Sequence, residues 1–360
     1  MIENTLRRNF LVCAISLFTV TIFAQDIHFS QFNDSPLNLN PALTGVGPAN
    51  QRFVANYRNQ WASALGANAY NTFSGSYDQK VKVGTYDYFG IGGSLYRDVA
   101  GASNFGTTSA KISASFSYRL NGGFNSAHFL TVGTDVGIVQ RRVGLGDLRW
   151  PSQHSNGMFN TAFGAPETID NNNFIYPDVG VGLIWFSVLD AETSFYGGVA
   201  LAHVNEPNVS FFNEQPTAPA PGDEPDAANL FRRITIHGGG ELPIAEKLSL
   251  LPGFVVNLQG PHREYNAGTS LKFDIGNDNE AFHIGLWARY GTQVSGGLHS
   301  DALIFSTKFD TGNYGIGFSY DITTSEFRQA GTANGSFELS FTYLINRIDD
   351  RKFWYPRVNS

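Results

Sequence analysis

The chain has 360 residues, of which 15% are charged and 14% aromatic, with 39 glycines and a net charge of −7. Soluble domains usually carry about 25% charged residues, so this composition suits a charge-poor, strand-rich surface. With no basic field and no Lys/Arg run longer than a pair, nucleic acid is not expected as a partner.

Residues 1–24 read as a secretory signal. Arg7 and Arg8 form the positive start, Phe10 to Ile22 the apolar core, and Ala24-Gln25 the cleavage point. That core falls short of the ~20 residues a spanning helix needs. Cys13, the one cysteine, lies inside it, so the exported chain is expected to hold no disulfide and no reactive thiol. No later apolar run is long enough for a spanning helix, which leaves a soluble exported protein or one that crosses a membrane with strands.

Residues 25–50 are rich in Pro, Asn, Gly and Ser and follow no period, which is the pattern of irregular backbone. Their apolar residues Ile27, Phe29, Phe32, Leu37, Leu39 and Leu43 are too many for a solvated tail. The expectation is a plug-like or periplasmic segment packed against the rest of the chain.

From residue 51 the sequence alternates. Ile112, Ala114, Phe116, Tyr118 and Leu120 share one face, with Lys111, Ser113, Ser115, Ser117 and Arg119 on the other. Tyr314, Ile316, Phe318 and Tyr320 oppose Gly315, Gly317 and Ser319 in the same way. Period two places these on opposite faces of a strand. Fourteen such runs are predicted, at about 51–58, 70–77, 88–97, 108–120, 128–141, 176–187, 194–204, 230–241, 247–258, 264–273, 280–291, 301–309, 312–321 and 335–346. Most have about the 9–11 residues a tilted membrane strand needs, against the usual ~5–6 of globular strands. The expected fold is an all-β, transmembrane antiparallel β-barrel over 51–346, followed by a periplasmic tail at 347–360. Odd-numbered connections come out long and even-numbered ones short, as in outer-membrane barrels.

Two further patterns fit this reading. Tyr86, Tyr88, Tyr176, Trp185, Tyr196, Trp287, Tyr290, Tyr314, Tyr320 and Tyr343 fall near strand ends, where interfacial rings settle. Glycines recur inside strands, among them Gly90, Gly92, Gly182 and Gly317. On the inner face they would make room for an inserted segment.

No catalytic, metal or cofactor motif emerges. The eight histidines lack metal-like spacing, Asp274 to Glu280 reads as a polar turn, and Asp301, Asp310 and Asp321 read as solvated rim residues. The Pro-rich, acidic connection 205–229 reads as a mobile outer loop. The cluster Tyr57-Arg58-Asn59-Gln60-Trp61 is suited either to clamp the preceding segment by guanidinium bonds and stacking or to anchor at the interface.

Phe29-Ser30-Gln31-Phe32, Pro36-Leu37, Asn40-Pro41-Ala42-Leu43-Thr44-Gly45 and Tyr57-Arg58-Asn59-Gln60-Trp61 together resemble the opening signature of the PorP/SprF family, outer-membrane proteins associated with type IX secretion. The stretches Gly90-Ile91-Gly92-Gly93 and Gly335-Ser336-Phe337-Glu338-Leu339-Ser340 look like later family features. The resemblance implies a non-enzymatic protein without cofactor, in contact with outer-membrane lipid, with type IX components and with a secreted surface cargo such as a gliding adhesin. It marks Phe29, Phe32, Pro36, Leu39, Asn40, Pro41, Tyr57, Arg58 and Trp61 as candidate plug or partner-contacting residues. An Asn-Pro-Ala run before a barrel also resembles fatty-acid channels of the FadL type, so a channel for hydrophobic small molecules is the rival expectation.

Overall fold

The computed structural model describes residues 26–347, apart from 84–85, 102, 122–125, 145–152, 156–157, 160–170, 191, 212–228, 276–279, 293–296 and 325–334. The expected signal, the tail, most of the 205–229 loop and the middle of the 274–280 turn lie outside the described residues.

Fourteen strands close into one antiparallel barrel. They are β1 Ala49–Gln60, β2 Tyr70–Val83, β3 Asp87–Ala100, β4 Phe105–Asn121, β5 Ala127–Arg142, β6 Asn173–Val188, β7 Ser194–Ala202, β8 Arg233–Ala245, β9 Leu248–Gln259, β10 His262–Asp274, β11 Ala281–Thr292, β12 Leu298–Thr311, β13 Tyr314–Thr323 and β14 Ser336–Arg347. Each pairs with its sequence neighbours, and β1 meets β14 with Asn56 opposite Ser340 and Arg58 opposite Glu338. Closure leaves no free edge, which is what a strand protein needs where no water can bond its backbone. A separate two-stranded pairing, His154–Ser155 with Met158–Phe159, sits in the connection after β5.

The polarity is inverted relative to a soluble protein. Outward residues such as Ile112 at 68% exposure and Ile316 at 56% are apolar, whereas inward Arg58, Asp178, Asp321 and Glu338 are at most 2% exposed. In water so much contiguous apolar surface would be a liability. In hydrocarbon it is the stable arrangement.

Most strands run further than periodicity alone indicates, so most connections are shorter than expected; the exception is 203–232, longer than the expected 205–229 because β7 stops and β8 starts inside the predicted runs. One rim carries 61–69, 143–172, 203–232 and 324–335, whereas no connection on the other exceeds six residues and 246–247 and 312–313 are tight turns. Three connections on the long rim, 101–104, 260–261 and 293–297, are themselves short. The aromatic expectation is corrected in part. Tyr86, Trp185, Tyr290, Tyr314 and Tyr320 are exposed outside, but Tyr88, Tyr176, Tyr196 and Trp287 are buried.

Residues 26–48 lie within the ring. They bond to side chains on strands from every part of the circuit, including β1, β4, β8, β11 and β14. Asp26 is placed near the long-connection rim, beside His203 just past β7 and Arg233 at the start of β8. The segment ends at the opposite rim, where β1 begins.

Candidate functional site

Proline sets the local shape of the inner segment. Pro36 opens a single α-turn, Pro36–Leu39, and Pro41 opens a 3-10 turn, Pro41–Leu43. Proline suits the first position of a turn because its missing N–H would be unsatisfied there anyway. Asn40, forced extended by the proline after it, ends the first turn and caps the second by accepting the Ala42 N–H at 2.9 Å.

Asn40 also joins three strands. Its Nδ2 donates to Leu183 O on β6 at 3.2 Å and Val199 O on β7 at 3.3 Å, and lies 3.0 Å from His237 Nε2 on β8. The approach is possible because the wall opposite lacks side chains. A Cβ on Gly182 would stand 1.9 Å from Asn40 Oδ1, one on Gly133 2.5 Å from Ala42 Cα, and one on Gly90 2.2 Å from Thr44 O. Gly45 itself takes the left-handed conformation, φ +68°, against Gly90. Phe32 seats edge-on against Trp287 with centroids 5.4 Å apart, and Leu39, Ala42, Leu43 and Val46 complete an apolar core with Phe129, Ile184 and Phe186.

Near the long rim a charge cluster grips Ser30 and Gln31. Glu338 accepts the Ser30 N–H at 2.6 Å and the Gln31 N–H at 3.0 Å. Arg58 bonds Glu338, Asp321 at 3.1 Å and Ser30 Oγ at 2.8 Å. Arg289 bonds the same Asp321 at 2.8 Å, Ser30 Oγ at 3.0 Å and Asp301 at 2.7 Å. Two guanidinium groups face two fully enclosed carboxylates, so the charges offset, the arrangement a low-dielectric interior requires. Lower down, Lys308 pairs with Asp34 at 2.8 Å. Arg52 holds Asp78 through two bonds of 2.9 Å while donating to Leu43 O at 3.0 Å.

The first described residue is latched. His203 bonds Asp26 at 2.5 Å and Asp178 at 2.8 Å, Arg233 stands 3.3 Å from Asp26, and Lys111 bridges Asp178 and Asp135. Burial would raise the Asp26 carboxyl, but His203 and Arg233 outweigh it and hold it well below the usual range. Burial would lower the His203 imidazole, but Asp26 and Asp178 outweigh it and push it up to about 9. A raised imidazole contributes fully below its free value of ~6.5 and loses its contribution as pH climbs through the raised one. A lowered carboxyl contributes above ~4 and fails only in stronger acid. A nitroxide carried on Ile27→Cys should therefore be immobile at mid-range pH and gain mobility as pH passes about 9. His203→Asn, which tolerates the positive φ of 56° at that position, should abolish the step; a step that survives belongs to another group.

Of the residues singled out from sequence, Phe29, Phe32, Pro36, Leu39, Asn40, Pro41 and Arg58 come together here, all buried. Tyr57 and Trp61 are not seen to join them. Period two turns Tyr57 away from Arg58, and its hydroxyl donates to Asn71 at 2.9 Å while its ring meets Phe337. Trp61 lies in the first long-rim connection, edge-on to Tyr70. The reading of the three aspartates as solvated rim residues is corrected for Asp321, which is 1% exposed because it continues the inward face of Gly315, Gly317 and Ser319. Arg52, Asp78, Arg233, Arg289 and Lys308 were not singled out; each is a charge on the inward face of its strand, and the alternation that sets that face was the signal that could have found them.

No curated protein matches the chain. Among solved structures, the toluene transporter TbuX of Ralstonia pickettii aligns at 12% identity over 86% of this chain and 92% of its own, with a TM-score of 0.45. The toluene transporter TodX of Pseudomonas putida aligns at 8% over 89% and 98%, with a TM-score of 0.45. CdiB of Escherichia coli aligns at 9% over 81% and 63%, with a TM-score of 0.43. The family model for the type IX secretion system membrane protein PorP/SprF matches residues 21–343. With nearly the whole described barrel inside that match, the chain belongs to the PorP/SprF family of type IX secretion membrane proteins, and its fourteen strands make it an outer-membrane barrel.

Proposed function

We propose that this barrel acts without catalysis to support secretion or cell-surface attachment of a large type IX cargo, such as a gliding adhesin, and that residues 26–48 serve as its plug. The observation that carries this reading is the filled interior. From Asp26 to Gly47 the segment is bonded to the surrounding wall, and the charges that meet it are paired. A barrel occupied in this way is suited to hold a partner at its rim rather than to pass solutes.

The rival, a channel for hydrophobic small molecules, needs an unbroken apolar path. The lumen side here carries Arg52, Asp78, Lys111, Asp178, Arg289 and Glu338, which favours attachment. The long connections would then face outward and receive the cargo.

Deleting the gene and comparing secreted and surface proteins tests the role. Loss of one large surface protein with other secretion intact is the expected result for a dedicated attachment partner. Loss of all type IX cargo would assign a core role instead, and unchanged surface and secreted fractions would remove both.

A further inference from the structure

Much of what grips residues 26–48 is aimed at main-chain atoms. Glu338 takes the N–H groups of Ser30 and Gln31 at 2.6 and 3.0 Å, and Asp78 that of Gly45 at 2.7 Å. Asn56 donates to Asp34 O at 2.9 Å, Arg52 to Leu43 O at 3.0 Å, Ser115 to Thr44 O at 2.6 Å and Lys80 to Gly47 O at 2.6 Å. Arg233 reaches the carbonyls of Ile27 and Asn38, both at 3.4 Å.

Amide N–H and C=O groups are common to every polypeptide, so a wall that addresses them recognises backbone before it recognises side chains. The glycine floor acts in the same sense at Gly90 and Gly133, which admit the main chain of Thr44 and Ala42 where any Cβ would collide, while Gly182 makes room for the Asn40 side chain. The occupant adds no strand to the barrel and continues into the wall only at β1. Only small gaps flank it, one beside Asp26 and Leu39 and one beside Phe32 and Asp34.

We propose that the lumen is a peptide-binding site for an irregular polypeptide segment bound in large part through its main chain. Residues 26–48 are its resident ligand, and a segment of the same pattern presented by a partner protein is the ligand that exchanges with it. The inference rests on the plug reading for the location of the site, and the readouts below separate the two.

A fluorescent peptide of residues 26–48 is titrated onto the barrel lacking residues 25–46 in detergent. Saturable binding is expected. N-methylation of the Gln31 and Gly45 amides, which deletes N–H groups and keeps every side chain, should weaken it at least about tenfold, roughly the effect of losing a buried charge-assisted hydrogen bond. Asn33→Ala in the peptide should change it less than about threefold. Absence of binding, or equal binding of the N-methylated peptide, would overturn the proposal. Should the shortened barrel not fold alone, the peptides are supplied during refolding. The heat-modifiable band should then appear with the unmodified peptide and not with the N-methylated one; no difference between the two overturns the site. Binding that leaves bilayer conductance unchanged would sink the plug and keep the peptide site, whereas a conductance rise on deletion without peptide binding does the reverse.

Discussion

Arg58→Met should destabilise the barrel by about 3–5 kcal/mol, the usual cost of removing one member of a buried ion cluster. Methionine fills much of the volume, so the loss is chiefly electrostatic. Asp321 would keep Arg289, but Glu338 would lose the guanidinium that bonds it and stand enclosed opposite the substituted position. Burying an uncompensated carboxylate is far costlier than losing a contact. The measurement is urea unfolding in detergent, followed by the loss of the heat-modifiable band. Arg232→Met is the control: its pair with Glu206 is about half exposed on both sides, 53% and 45%, and such pairs contribute only ~0–1 kcal/mol. Equal effects from the two would refute the cluster's role.

Deleting residues 25–45 while keeping the signal should raise the conductance of single barrels in planar bilayers. Eight-stranded barrels fill their interior with side chains, whereas barrels of about 16 strands leave an aqueous channel. At fourteen strands the interior needs an occupant. The glycines facing Asn40 to Gly45 have no side chain with which to fill the space, and Arg52, Asp78, Arg289 and Asp321 would hydrate readily once uncovered. An unchanged conductance would mean that some other part of the chain closes the lumen.

The barrel was legible in sequence because alternation is a local signal, repeated fourteen times and reinforced by the sorting of long and short connections. The inner segment was legible from its composition, since Phe29, Phe32, Leu39 and Leu43 demanded partners. The partners themselves were not. Asp321 lies 263 positions from Arg58, and Arg289 lies 259 from the Ser30 it bonds. No local period reports which inward charges a closed ring will bring face to face. The residues 57–61 divide for a related reason, since neighbours in a strand point apart: Arg58 reaches Ser30 on the inside while Tyr57 meets Asn71 and Phe337.

The join between the first and last strands has a further implication for how the ring closes. Glu338 belongs to β14, the strand synthesised last, and Arg58 to β1, synthesised first, and the Ser30 and Gln31 amides bond across that join. The seated segment therefore helps to hold the seam of the ring, because Glu338 on the last strand meets both the Arg58 guanidinium of the first strand and the Ser30 and Gln31 amides. Closure of the wall and seating of the occupant then favour one another, and the head and the tail of the chain meet at one place.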